Sequence, residues 1–463
     1  MQLKTFGGAV LAIPLFACAA STVAAEGPSV CACGRPAGHA LGPDLVQDGD
    51  APPSLPAPFR IANRWTSTST NGSTGAQGTP ITLRWSFLRD GVTVPDSDGP
   101  LQPDGSGSDV AAPSALISNF DARFGTSASL ETRPWFRFFN DSFNRWAQLS
   151  GVTYAYEAND DSASFFTNGQ VGVRGDIRIG AKPIDGASNT LAYNYFPNAG
   201  DMVLDTQETT AFNSTTNDYR SLRNIITHEA GHGLGFDHVE SSNSGQLMEP
   251  FLSTSFDGPQ LDDILAVQRN YGDAREKSGG NDNAANADSL GTFAGAGSAS
   301  VGTATPDTIT AIPLAATDFV SIDDESDVDL YSFTVAPGSI VTLTLDPSGY
   351  SYLEGPQNSV PSTDPNFVPQ TTFDASLQSD LTLTLLGIDG TTVLDSSNLG
   401  GLGVTESLSE TLLAGGTYFA RIAGLTADRI QLYQLDFAVT VPEPTALAAV
   451  ALLGLGLRRR RAA

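Results

Sequence analysis

Residues 228–238 read "HEAGHGLGFDH", and three of the four histidines in the 463-residue chain fall inside them. On a helix, positions four apart lie on one face, so His228 and His232 present their rings to a single point. Gly235 supplies the residue that can take a left-handed conformation and end such a helix. The chain then turns back, and His238 reaches the same point as a third ligand. Three nitrogen donors leave the fourth position of a tetrahedral zinc open, which is the arrangement of a catalytic rather than a structural site. Glu229, beside the first ligand, is angled away from the ion on the helix. It is placed instead to take a proton from water at the open position.

Working outward, "ITLRWSF" (81–87) alternates like a strand, and residues 133–149 carry Phe136, Phe139, Phe143 and Trp146 at helical spacing. "VTYAYE" (152–157), "DIRIGA" (176–181), "LAYNYF" (191–196) and "DMVLD" (201–205) read as strands. Helices follow through "YRSLRNIITHEAGHGLG" and "GPQLDDILAVQRNYG" (258–272). The order predicts an α+β domain over 58–272, a twisted mixed sheet plus long helices, with the histidine motif on a helix after the strands. A polar linker over 273–290 separates it from residues 291–440. There "DLYSFTV", "IVTLTLD", "LTLTLLG", "GTYFARI" and "YQLDFAV" recur with turn residues between them, the pattern of an all-β sandwich.

The spacing H-E-x-x-H-x-x-G-x-x-H resembles the metzincin metallopeptidases, whose zinc sits over a methionine-containing turn. "SGQLMEP" supplies Met248 for that turn. "NTLAYNYFPNAGDMVLDTQE" and "LDDILAVQRNYG" narrow the resemblance to the matrixins, the matrix-metalloproteinase branch, over roughly 80–272. The resemblance implies a zinc endopeptidase with one catalytic zinc on His228, His232 and His238, and Glu229 as general base. It implies a calcium site at Asp185, Asp205 and Glu208, completed by carbonyls of Gly186, Ser188 and Thr190; hard oxygen ligands suit that ion. It also implies a substrate-binding edge strand at Leu191, Ala192 and Tyr193, where an extended polypeptide pairs by strand addition. Matrixins hold a second, structural zinc; the matching strand positions here are Tyr193 and Val203, which offer no nitrogen, so one zinc per chain is expected. "CACGRPAG" is similar to the matrixin pro-segment motif and makes Cys33 the candidate latency ligand, although Arg35 follows the cysteine here and the family's arginine precedes it. Residues 280–440 resemble the bacterial pre-peptidase C-terminal domain.

A net charge of −27 argues against nucleic acid as a partner. The start of the chain, an apolar run and then "STVAA", reads as an export signal over 1–25, and the Pro- and Gly-rich stretch 26–57 as a pro-segment or linker. At the other end, "VPEPTALAAVALLGLGLRRRRAA" (441–463) resembles the PEP-CTERM sorting signal, whose partner is an exosortase-type processing enzyme. Its uncharged run 445–457 spans about 20 Å as a helix against a hydrocarbon core of about 30 Å, which predicts transient membrane association. The expected protein is exported, secreted or sorted to a bacterial cell surface. The rival reading is a non-catalytic surface adhesin or structural protein with a degenerate peptidase domain.

Overall fold

The computed structural model describes residues 59–97, 109–187, 190–239, 241, 245–277, 279–354, 363, 369–425 and 429–441, and the backbone of 30–33. The export signal, most of the pro-segment and the sorting tail lie outside the described residues. No described helix is long and apolar enough to cross a membrane.

The first part is built on one six-stranded sheet. Its strands are β1 (Val30–Cys33), β2 (Ile81–Phe87), β3 (Val152–Tyr156), β4 (Ile177–Lys182), β5 (Ala192–Tyr195) and β6 (Met202–Asp205), in the order β1-β5-β6-β4-β2-β3. Strands β3, β2, β4 and β6 run parallel, and β5 is antiparallel to both of its neighbours. Four helices of nine or more residues complete this part: α1 (Leu116–Phe124), α2 (Phe136–Leu149), α3 (Arg220–Gly233) and α4 (Leu261–Tyr271). Of the stripe expected on α2, Phe139, Phe143 and Trp146 are buried and Phe136 is half-buried, while Phe138 is buried beside them. These rings meet the sheet through Trp85 and Phe87; Phe87 lies edge-on to Phe139 with 5.0 Å between centroids. Helix α3, carrying the histidine motif, packs in the same core through Leu222, Ile225 and Ile226.

The edge at Leu191 to Tyr195 was expected to be free for an extended peptide. It is not free. Strand β1, from the N-terminal segment of the same chain, lies antiparallel along it, with Cys33 opposite Ala192 and Val30 opposite Tyr195. An open sheet edge presents unpaired N–H and C=O groups, and here the chain's own segment satisfies them.

The second part holds two five-stranded sheets. One runs Asp288–Phe293, Val328–Val335, Gly416–Gly424, Leu381–Leu386, Val393–Ser397; the other joins Gly297–Val301, Gln431–Thr440, Ser339–Pro347 and Glu406–Leu412, with Val320–Ile322 on Gln431–Thr440. Tyr331, Phe333, Leu343, Leu383, Ile422 and Phe437 fill the space between them. Alternation along these strands produced the sequence signal, since inward residues are apolar and outward ones polar.

The two parts share a core. Leu261, Ile264 and Leu265 of α4 pack with Ile312, Phe319, Tyr350, Tyr352 and Phe373 from beyond residue 300. Polar bonds seal the seam: Gln268 Nε2 donates to the carbonyls of Leu149 and Phe319, and the Tyr352 hydroxyl donates to Asp262.

Candidate metal centre

Helix α3 carries His228 and His232 on one face, and Gly235 ends the turn after it with φ +101°. A side chain at 235 would run into the Asn63 carbonyl, so glycine is required there both for space and for its backbone angle. The chain folds back as the motif predicts. His228 Nε2 stands 3.0 Å from His232 Nε2 and 3.3 Å from His238 Nε2. All three residues are buried.

The far side of each helical imidazole fixes its tautomer. His228 Nδ1 lies 2.7 Å from the Leu247 carbonyl, and His232 Nδ1 lies 2.6 Å from the Phe236 carbonyl. A carbonyl only accepts, so both Nδ1 atoms carry protons and both Nε2 lone pairs face the centre. Burial, followed by the neighbouring histidine, pushes His228 down to about 3 and His232 well below its ordinary value. Protonation therefore does not occupy those lone pairs near neutral pH. Bare nitrogens converging at this distance could hold a cation between them. A tetrahedral zinc with Zn–N of about 2.0–2.1 Å separates its donors by about 3.3–3.4 Å, so the donor set fits that ion.

Glu229, fully buried, follows His228 on the helix. Met248 lies beneath. A Cβ at Gly231 would collide with the Met248 sulfur and come within 3.1 Å of Trp146, so glycine between the two ligands lets the turn pass directly under the helix. The turn is held from α4: Asp263 accepts from the backbone N–H of Leu247 at 2.7 Å and of Met248 at 3.0 Å. Burial nevertheless pushes Asp263 up to about 6. Sequence reasoning missed Gly231, Asp263, Leu247 and Phe236. The pair Asp262–Asp263 in an otherwise apolar helix start was the signal for one of them.

The remaining predicted positions are only partly gathered. Asp205 Oδ1 accepts from Ile184 and Gln207 N–H groups, while its buried Oδ2 has no hydrogen-bond partner. Burial first, with the charges of Asp185 and Glu208 adding to it, pushes Asp205 up to about 6. Asp185 accepts from Thr190 N–H. Among the described residues these three acids do not form a compact ligating group; the two groups that do are the histidine trio and Glu276, Asp327 and Asp329. Ser188 lies outside the described residues. Leu191 and Ala192 are buried in the sheet, and Cys33 is placed by backbone pairing alone.

Tyr193 has a different role from any zinc ligand. Its hydroxyl donates to Asp109 Oδ2 at 3.1 Å, and Lys182 Nζ lies 2.6 Å from both oxygens of the same carboxylate. A fully buried ion pair therefore occupies this side of β4 and β5.

Beside His228 a cavity of about 10 Å³, room for about one water, is lined by Ile225, Leu247, Leu252 and Phe256, with Asn224 and Ser253. It lies behind the Met248 turn, where the sequence left the lining open.

Fold and site together define an α+β domain whose three converging histidines could hold a metal ion. Residues 124–272 match the family model described as Matrixin. The chain is 29% identical to matrix metalloproteinase-15 of Homo sapiens over 34% of its own length and 24% of that protein's. It is 32% identical to metalloendoproteinase 4-MMP of Arabidopsis thaliana over 29% of its own length and 40% of that protein's. It thus spans between a quarter and two fifths of these relatives. Solved structures that align, among them the pre-peptidase C-terminal domain of a Bacillus anthracis collagenase (11% identity, 33% of this chain and 93% of that one, TM-score 0.17), are too unlike it to carry an argument.

Proposed function

We propose that the protein is an exported zinc-dependent endopeptidase. The observation that carries this reading is the convergence of three imidazole Nε2 atoms whose helical members are locked by carbonyls with their lone pairs inward, next to a buried glutamate. His228, His232 and His238 would hold the ion. When bound, zinc supplies Lewis-acid activation of water and of the scissile carbonyl. Glu229 takes the proton from the attacking water and returns it to the departing amine. The outer edge of β5 aligns the peptide backbone once β1 has left it. The Asp109–Lys182–Tyr193 network supports a single zinc per chain. Calcium at Asp185, Asp205 and Glu208 belongs to the same proposal, supported by the partnerless Asp205 Oδ2. Cys33 as latency ligand, export through 1–25 and sorting of 441–463 by an exosortase-type enzyme complete it.

The test is Glu229→Gln in the full chain. Metal analysis should still find one zinc, while cleavage of casein or a peptide library falls by on the order of 10²–10⁴-fold. Undiminished cleavage would remove Glu229 from the reaction, and a chain that binds no zinc would remove the whole reading.

A further inference from the structure

The second part reaches the histidine site from behind, through the segment that runs from His238 to α4. On its inner side this segment is fastened to the site. Val239, next to the third histidine, donates its N–H to the Met248 carbonyl at 3.0 Å, and the Leu247 carbonyl lies 2.7 Å from His228 Nδ1. Ser241 N–H donates to Glu249 Oε1 at 2.7 Å. On its outer side the segment meets a two-stranded sheet of the second part, Ser351–Glu354 with Thr371–Asp374. Ser241 and Glu354 face each other as an isolated antiparallel bridge. The Gln246 side chain hydrogen-bonds the Tyr350 hydroxyl, and the Tyr352 hydroxyl donates to Asp262.

Asp262 and Asp263 open α4 side by side, and both bear on the Met248 turn. Asp263 accepts from the N–H groups of Leu247 and Met248, while Asp262 N–H donates to Gln246 Oε1 at 3.2 Å. The Asp262 side chain is buried; its Oδ1 accepts from Tyr352 and its Oδ2 has no hydrogen-bond partner. A buried carboxyl stripped of its donor is costly, and the first turn of α4 lowers that cost by tilting the group toward water. Such a tilt draws Asp263 and the Gln246 bond away from Leu247 and Met248. The tyrosine of the second part thus bears, through one carboxyl, on the carbonyl that aims His228.

We propose that Tyr352 is a positioning residue for the histidine site, acting through Asp262 to hold the Leu247 carbonyl and the Val239–Met248 pairing in register; this rests on the zinc reading. The second part is then a wall of the metal centre, not a spacer carried behind it. Its sheet is itself seated firmly enough for that role. Tyr350, Tyr352 and Ile312 pack on Leu261, Ile264 and Leu265 of α4. Ile312 N–H donates to Gln260 Oε1 at 2.8 Å, and Arg145 of α2 donates to the carbonyls of Leu314 and Ala316 at 3.0 and 2.9 Å.

The experiment is Tyr352→Phe in the full chain, which deletes the hydroxyl and keeps the ring. The zinc-loaded variant should release its metal to a chelator about 10-fold faster than the parent. Hydrogen exchange of the metal-free variant should show the amides of Val239, Leu247 and Met248 about 10-fold less protected, with those of β2 and β4 unchanged. Tyr418→Phe is the control, since its hydroxyl donates to the Ala414 carbonyl at 2.8 Å within the second part; it should change neither readout. Should Tyr352→Phe fail to fold, Tyr350→Phe removes the partner of Gln246 and is judged by the same two measurements. A parent-like release rate or exchange pattern overturns the proposal, and so do equal losses in Tyr418→Phe, which would mark general loosening. A parent chain that holds no zinc sinks the zinc reading itself, whereas a zinc-binding parent with an unmoved variant sinks the role of Tyr352 alone.

Discussion

Replacing Lys182 by methionine tests the buried ion pair that braces the first part. The Lys182 ammonium makes four contacts: both oxygens of Asp109 at 2.6 Å, the Pro95 carbonyl at 2.7 Å and the Val110 carbonyl at 2.9 Å. Neither Lys182 nor Asp109 exposes its side chain. Methionine keeps most of the stem's volume and deletes the charge. Asp109 is then left buried with Tyr193 as its partner, and breaking one half of a buried pair costs about 3–5 kcal/mol. The double variant Lys182→Met/Asp109→Leu removes the stranded charge and leaves the Tyr193 hydroxyl and two carbonyls to resettle, at about 1–3 kcal/mol. The double should therefore be more stable than the single by about 2 kcal/mol.

Urea unfolding followed by tryptophan fluorescence reads this part of the molecule alone, because Trp65, Trp85, Trp135 and Trp146 are the chain's four tryptophans. Burial already raises the Asp109 pKa. In Lys182→Met the folded state binds that proton more tightly still, so the deficit should shrink as pH falls toward the unfolded carboxylate range. A single variant within about 1 kcal/mol of the parent, or a double no more stable than the single, would refute the account of this network.

Two further outcomes follow from the same geometry. Gly231→Ala drives a methyl group into the Met248 sulfur and should cost about 1–3 kcal/mol, with faster loss of zinc to a chelator; wild-type stability and zinc retention would show that the turn does not press on the helix. Asp201 is buried and pushed up to about 7, so its folded form holds a proton more tightly than the unfolded chain does. Its contribution to stability is present near pH 4 and is lost as pH rises to about 7; the unfolding temperature of Asp201→Asn measured across that range should fall less steeply than the parent's.

The histidine motif was legible because its geometry is local. Residues four apart share a helix face whatever surrounds them, and a glycine three positions after His232 ends the helix by its own backbone freedom. The strands of both parts were legible for a similar reason: a period of two and turn residues are written along the chain. Strands Asp288–Phe293, Gly297–Val301, Val393–Ser397 and Glu406–Leu412 were not, because they are half-exposed and largely polar, and helix α1, with two buried residues, carries too weak a stripe.

The sequence by itself determined which imidazoles converge on one point, since helical spacing converts position directly into direction. Only the tertiary structure decided what holds them and what surrounds them. The carbonyls that aim the rings, the Asp263 brace under Met248, the pairing of Lys182 with Asp109, the strand β1 laid on β5, and the acids at 276, 327 and 329 all join residues distant in the chain. Such contacts arise when buried polar groups must find partners in whatever segments the apolar core has already brought together, and no local pattern records that choice.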